Sequence, residues 1–250
     1  MGLQLNERET MQNLCLQNLP VRKKWRPISD LKGLFVSCQP RPRRILTGPF
    51  KGIVMNLSMK TQLQMYLGLW ERETSSWLRS LSAGIATAID IGTAFGEYSL
   101  FFLKKTAAVR VYAFEPDKAF LPSLDDNLKL NDLHRTERLL LCTKFVGTCD
   151  NDRECTLDSL RESLQYPCLI KIDVDGAEEA ILRGAIVLAG LRQVRWLIET
   201  HSKELEESCA RILTEWGFQV RLIPNAWWRV ILPEDRRTEH NRWLAAFKTD

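Results

Sequence analysis

From residue 85 onward the chain alternates short apolar runs with amphipathic stretches. The runs at 86–91, 109–114, 138–142, 168–174, 194–199, 219–223 and 243–248 predict strands. Several of them are apolar almost throughout, which implies burial on both faces, as in parallel strands covered by helices on either side. Between the runs, 97–104, 118–130, 157–164, 177–188 and 203–216 carry apolar residues at helical spacing. Strands alternating with helices predict an α/β fold, with a mostly parallel sheet of about seven strands and helices on both faces.

Upstream the pattern is different. Pro20, Pro27, Pro40, Pro42 and Pro49, with Gly33, Gly48 and Gly52, break any long helix or central strand over 20–52. An irregular arm with short strands is predicted there, one of them near 53–57. Residues 61–81 return to helical spacing through Leu63, Tyr66, Leu67, Trp70, Trp77, Leu78 and Leu81, and Gly68 divides them into two helices. The expected organisation is a basic arm and helical cap over 1–80, followed by one ligand-binding domain over 81–250.

Composition adds exclusions. With 45% apolar and 26% charged residues, the chain has the balance of a water-soluble protein, and it lacks the roughly 18-residue apolar run of a membrane span. The polar start through Asn13 lacks the layout of a secretory signal, and Gly2 is not followed by the serine or threonine usual for myristoylation. The seven cysteines contain no CxxC pair, and Cys142, Cys149 and Cys155 match no common zinc spacing. Free thiols and a cytoplasmic location are expected. The net charge of +4 conceals an asymmetry: residues 1–80 hold 13 basic against 5 acidic side chains, a surplus of +8 that leaves −4 for the rest. Such an arm suits a solvated face first and an anionic partner such as nucleic acid second.

In an open parallel sheet, ligands sit at the carboxyl ends of the strands. The first strand stops in Asp90-Ile91-Gly92-Thr93-Ala94-Phe95-Gly96, two glycines four apart at the turn into a helix. This is not the GxGxxG turn that receives a pyrophosphate. An acid at that strand end, Asp90, suits a ligand with positive groups. The second strand stops in Phe114-Glu115-Pro116, with Glu115 23 residues after Gly92, the interval at which an acid accepts from ribose hydroxyls. Together the two ends point to a nucleoside ligand.

The fourth strand leads into Ile170-Lys171-Ile172-Asp173-Val174-Asp175-Gly176-Ala177-Glu178, with Leu182-Arg183-Gly184-Ala185 beyond it. This segment resembles the K-I-D-V-E-G-A-E…L-x-G-A signature of the FkbM family of methyltransferases. Ala113–Pro116 is similar to that family's A-F-E-P, Gly68-Leu69-Trp70-Glu71 to its G-x-W/Y-E, Thr156-Leu157-Asp158-Ser159-Leu160 to its T-L-D-x-L, and Glu199-Thr200-His201 to its E-x-H. Departures are Ala94 where the family has Asn, Asp175 where it has Glu, and a short stretch before Thr156. The resemblance implies a Rossmann-like class I methyltransferase sheet, S-adenosylmethionine as cofactor, and O-methylation of a small-molecule or glycan acceptor. The cofactor residues expected on that basis are Glu71, Asp90, Gly92, Thr93, Ala94, Gly96, Tyr98, Ser99, Glu115, Pro116 and Asp173.

Methyl transfer to a hydroxyl benefits from positioning and from a base. His201, after the fifth strand, is the expected base, against a structural alternative in which it caps the helix near Lys203. Asp173 is the second catalytic candidate. Asp173, Asp175 and Glu199 form a possible carboxylate cluster. The favoured expectation is that no metal binds, that Asp173 meets cofactor or substrate, and that Asp175 and Glu178 support the next helix N-terminus. Lys171 shares a strand face with Asp173. Lys171, Asp175, Glu199, Trp227 and Trp228 are expected to line the acceptor side. A nucleic-acid methyltransferase and a non-catalytic cofactor-binding module are the rival readings.

Overall fold

In a computed structural model of the chain, residues 39–135, 138–230 and 240–249 are described. Most of the basic arm, 1–38, lies outside the described residues. Among those described, seven strands form one sheet in the order β10-β11-β9-β8-β3-β4-β5. They are β3 (Thr87–Ile91), β4 (Arg110–Phe114), β5 (Leu139–Cys142), β8 (Cys168–Ile172), β9 (Val194–Thr200), β10 (Gln219–Ile223) and β11 (Arg242–Phe247). β11 runs antiparallel to both of its neighbours and every other pairing is parallel. All seven predicted strands are present, and they form the mostly parallel, Rossmann-like α/β sheet that the pattern predicts.

β3 and β8 are buried along their whole length. Apolar side chains therefore leave both faces of the sheet and build two cores. One contains α3 (Glu97–Lys105) and α4 (Leu121–Lys129). The other contains α5 (Glu178–Arg183), α6 (Ile186–Ala189) and α7 (Lys203–Glu215).

The cap is built as its spacing predicts. Helix α1 (Leu63–Leu67) stops at Gly68, which adopts the left-handed conformation (φ 74°), and α2 (Ser75–Leu81) follows a short 3-10 turn at Arg72–Thr74. The antiparallel hairpin β1 (Arg41–Arg44) with β2 (Val54–Leu57) precedes them. Ile45, Phe50, Ile53, Met55 and Leu57 enter the same core as α3 and β3. The hairpin is also tied down by polar bonds. Val54 N donates to Asn131 Oδ1 (3.0 Å), Asn56 N donates to Asn127 Oδ1 (2.8 Å), and Asn127 Nδ2 donates to the Phe95 carbonyl (2.9 Å).

Two predicted helices differ. Residues 177–188 split at Gly184 into α5 and α6, and a Cβ at Gly184 would collide with the Gly147 carbonyl oxygen. The stretch 157–164 is a 3-10 helix, Asp158–Ser163. Asp158 joins the two: its carboxylate accepts from Val187 N and Leu188 N (2.9 Å each), capping α6 from outside its own helix. Two motifs far apart in sequence thus meet for a structural reason. Two short strands, β6 (Phe145–Val146) and β7 (Glu154–Cys155), form a parallel pair that the pattern does not foreshadow. No helix among the described residues is long and apolar enough to cross a membrane.

Candidate active site

The strands β4, β3, β8 and β9 are consecutive and parallel, so their carboxyl ends open on one crevice. β3 delivers the glycine turn 92–96, β4 delivers Glu115, β8 delivers Asp173, and β9 delivers His201. Gly92 has φ +76°, and a methyl group there would run into the Asp173 carbonyl oxygen, so only glycine lets the turn lie against the end of β8.

Glu115 crosses to the turn. Its Oε2 accepts from Ala94 N at 2.8 Å and its Oε1 from Asp117 N at 2.9 Å, beyond Pro116. Burial pushes this carboxyl above its ordinary pKa, against the pull of the two N–H donors. Ala94 holds a left-handed conformation (φ 44°) that aims its N–H at Glu115. Thr93 Oγ1 donates back to the Asp90 carbonyl at 3.0 Å, which closes the turn.

Asp90 was expected to meet a positive ligand group, but its carboxylate is engaged within the protein. It is fully buried, with Lys171 Nζ 3.1 Å from Oδ1 and Ser99 Oγ donating to Oδ2 at 2.7 Å. Lys171 is equally buried. Its ammonium also donates to the Gly92 carbonyl (2.9 Å), lies 3.6 Å from Asp173 Oδ2, and stands 4.9 Å from the centre of the Tyr98 ring. Burial alone would lower its pKa, but the carboxylates of Asp90, Asp173, Glu97 and Glu71 outweigh that and hold it raised. Lys171 is thus the cation that lets four acids gather beneath the turn. Tyr98 links the cap to this hub, since its hydroxyl donates to Glu71 Oε2 at 2.6 Å, and Glu71 is buried with a left-handed backbone (φ 48°).

The second cluster surrounds His201. Its Nδ1 is 2.6 Å from Oε1 of the fully buried Glu178. Its Nε2 lies 3.6 Å from Asp173 Oδ1, 3.8 Å from Glu199 Oε2 and 3.8 Å from Asp175 Oδ1. Burial would lower the imidazole pKa, but the bond to Glu178 and the charges of Asp173, Glu178 and Asp175 outweigh it and raise it. His201 does not cap α7: Ser202 does, accepting from Leu205 N at 3.1 Å. Nor does a side chain cap α5; Glu178, in its first turn, is committed to His201.

Trp227 and Trp228 stack edge to face at 5.9 Å on a 3-10 turn, Trp227–Val230, after β10. Trp227 is 73% exposed, and Arg229 of the same turn pairs with Glu73 of the cap.

Glu97 was not anticipated. It opens α3 and lines a cavity of about 420 Å³ with Trp70, Phe95, Met55, Leu57 and Asn127. Burial pushes its carboxyl up to about 8, and among the described residues no hydrogen-bond donor reaches Oε2. Nothing in the local sequence sets it apart from a surface glutamate. Between its unfolded value of 4.5 and about 8 the folded chain holds the proton that the unfolded chain has lost. Stability is therefore expected to fall as pH rises through that window. Denaturant titrations at pH 5 and 9 should show Glu97→Gln removing much of that fall, on the order of a few kcal/mol. Equal pH dependence in both proteins would mean that Glu97 titrates normally.

No protein-family model matches the chain, and no curated protein matches it in sequence. Solved structures match its shape. A methyltransferase FkbM from Methylobacillus flagellatus superposes with a TM-score of 0.52 at 19% identity, over 65% of this chain and 44% of that one. This chain therefore spans less than half of that protein's length. A precorrin-6y C5,15-methyltransferase from Geobacter metallireducens gives 0.46 at 16% identity, over 71% and 88% of the two chains. A precorrin 8w decarboxylase from Methanobacterium thermoautotrophicum gives 0.47 at 17%, over 70% and 88%.

Proposed function

We propose that the chain is an S-adenosylmethionine-dependent methyltransferase of the FkbM type, acting on a hydroxyl of a sugar, glycan or secondary metabolite. The observation that carries this reading is the Glu115 carboxylate held across the glycine turn. Each of its oxygens accepts one backbone N–H, and a carboxylate oxygen has a second lone pair. Two acceptors remain for the paired hydroxyls of a ribose. S-adenosylmethionine, when bound, supplies a methyl group activated on sulfur.

The chain's own residues divide the remaining work. Gly92, Thr93, Ala94 and Gly96 shape the floor, Pro116 fixes the chain beyond Glu115, and Glu71 with Tyr98 holds the cap on α3. Asp90 and Ser99 anchor Lys171, which steadies Asp173 at the lip of the crevice. The acceptor lies on the side of Asp173 and Asp175, with Trp227 and Trp228 as its outer wall, while the buried Lys171 and Glu199 back that side from within. Its proton is taken at the His201 cluster, by Nε2 when that atom is bare.

Calorimetry with S-adenosylmethionine tests the carrying observation. Glu115→Ala leaves two hydroxyls without a charged acceptor, a loss of roughly 1.5–3 kcal/mol, so affinity should drop about tenfold or more. Wild-type affinity in a folded variant would sink the assignment. Incubating the protein and methyl-labelled cofactor with glycan, metabolite and RNA pools tests the acceptor. Label in RNA would replace the hydroxyl reading with a nucleic-acid methyltransferase, and label in no pool would leave a cofactor-binding module.

A further inference from the structure

We propose that Asp173, Glu199 and His201 form a binding site for one divalent cation of the Mn²⁺ type. One carboxylate oxygen each from Asp173 and Glu199, and one ring nitrogen of His201, all lie within 4.8 Å of one another. They come from the ends of the adjacent, parallel strands β8 and β9.

Two observations single out a cation. The first is spacing. Nε2 stands 3.6 Å from Asp173 Oδ1 and 3.8 Å from Glu199 Oε2, too far for hydrogen bonds. A cation bonded at about 2.1–2.3 Å sets neighbouring ligand atoms about 3.0–3.8 Å apart, across octahedral and tetrahedral geometries. The second is the imidazole's far side. Nδ1 is fixed at 2.6 Å by Glu178, a fully buried acid whose Oε2 has no hydrogen-bond partner among the described residues. A carboxylate behind a histidine is how metal sites orient the ring and turn its other nitrogen toward the ion.

His201 and Glu199 are nearly buried, whereas Asp173 is 28% exposed, so the site opens only toward the crevice. A mixed imidazole and carboxylate set suits Mn²⁺ better than the all-oxygen shell that Mg²⁺ and Ca²⁺ prefer. With an ion on Nε2, the imidazole becomes a ligand and no longer accepts a proton. The open side then receives an oxygen donor of the acceptor, a point that rests on the methyl-transfer reading above.

The test is a Mn²⁺ titration of the intact protein without cofactor, followed by electron paramagnetic resonance and by melting temperature. One Mn²⁺ per chain and a rise in melting temperature are expected. Affinity should fall at least tenfold in His201→Ala and in the more exposed, milder Asp173→Asn, each checked by its unliganded melting curve. Absence of stoichiometric Mn²⁺ on the wild type, or undiminished binding in both folded variants, would overturn the site. Neither result bears on cofactor binding by Glu115, which is measured separately; Mn²⁺ binding without S-adenosylmethionine binding would sink the methyl-transfer reading and leave the metal site standing.

Discussion

His201→Ala is expected to lower the turnover of an O-methylation assay by roughly 10²–10⁴ while cofactor affinity changes little. The expectation rests on position and on the partners at both ring nitrogens. Glu178 holds Nδ1, and Nε2 is presented to Asp173 and Glu199 at the mouth of the crevice. Loss of the ring removes either the proton acceptor or the ligand at that point. Added imidazole separates these roles from a structural one, because a small ring diffusing into the vacated space restores part of the rate only when Nε2 itself is needed. Glu178→Gln is a companion variant. It keeps a hydrogen-bonding side chain behind the ring but removes the charge, so it should reduce turnover less than His201→Ala. Turnover of His201→Ala within a few-fold of wild type would return the residue to a structural role and make Asp173 the next to test.

Lys171→Met should be the most destabilising single change in the site. The ammonium is the partner of the fully buried Asp90 carboxylate at 3.1 Å, and removing it leaves that charge in a low-dielectric interior. Breaking one side of a buried pair costs roughly 3–5 kcal/mol. For a domain of this size, each kcal/mol moves the melting temperature by about 2–4 °C, so a drop on the order of 10 °C is expected. The double variant Asp90→Leu/Lys171→Met removes both charges and should recover much of the loss, because a matched apolar pair needs no solvation. If the single and double variants melt together, the Asp90–Lys171 pair is not what holds the turn. Cofactor affinity should remain reduced even in the double variant, since Ser99 and Gly92 lose the partners that fix them.

Much of this organisation follows from local pattern. A run of apolar residues bounded by turn residues needs no knowledge of its neighbours to be extended. The seven strands, the break at Gly68 and the turn 92–96 were therefore all legible along the chain. So was the convergence of Glu115, Asp173 and His201, because a parallel sheet places every strand's carboxyl end on one edge. The resemblance of the fourth-strand segment to a methyltransferase signature added the chemistry.

What each of those side chains does was decided by the tertiary structure. Asp90 reads as an open acid at a strand end, but β8 lies beside β3 and brings Lys171 against it. Glu178 reads as a helix-start acid, yet the helix it opens packs against α7 and delivers it to His201. Glu97 reads as a surface glutamate until the hairpin and cap cover it. The uninterrupted helical spacing of 177–188 gives way at Gly184, where the Gly147 carbonyl and the Asp158 carboxylate enter. The physical reason is common to all four. Periodicity records which face of an element is buried, a property of the neighbouring residues in sequence, whereas protonation, pairing and capping depend on charges and dipoles brought within a few ångströms from elsewhere in the chain. Those short distances exist only once the sheet order is set.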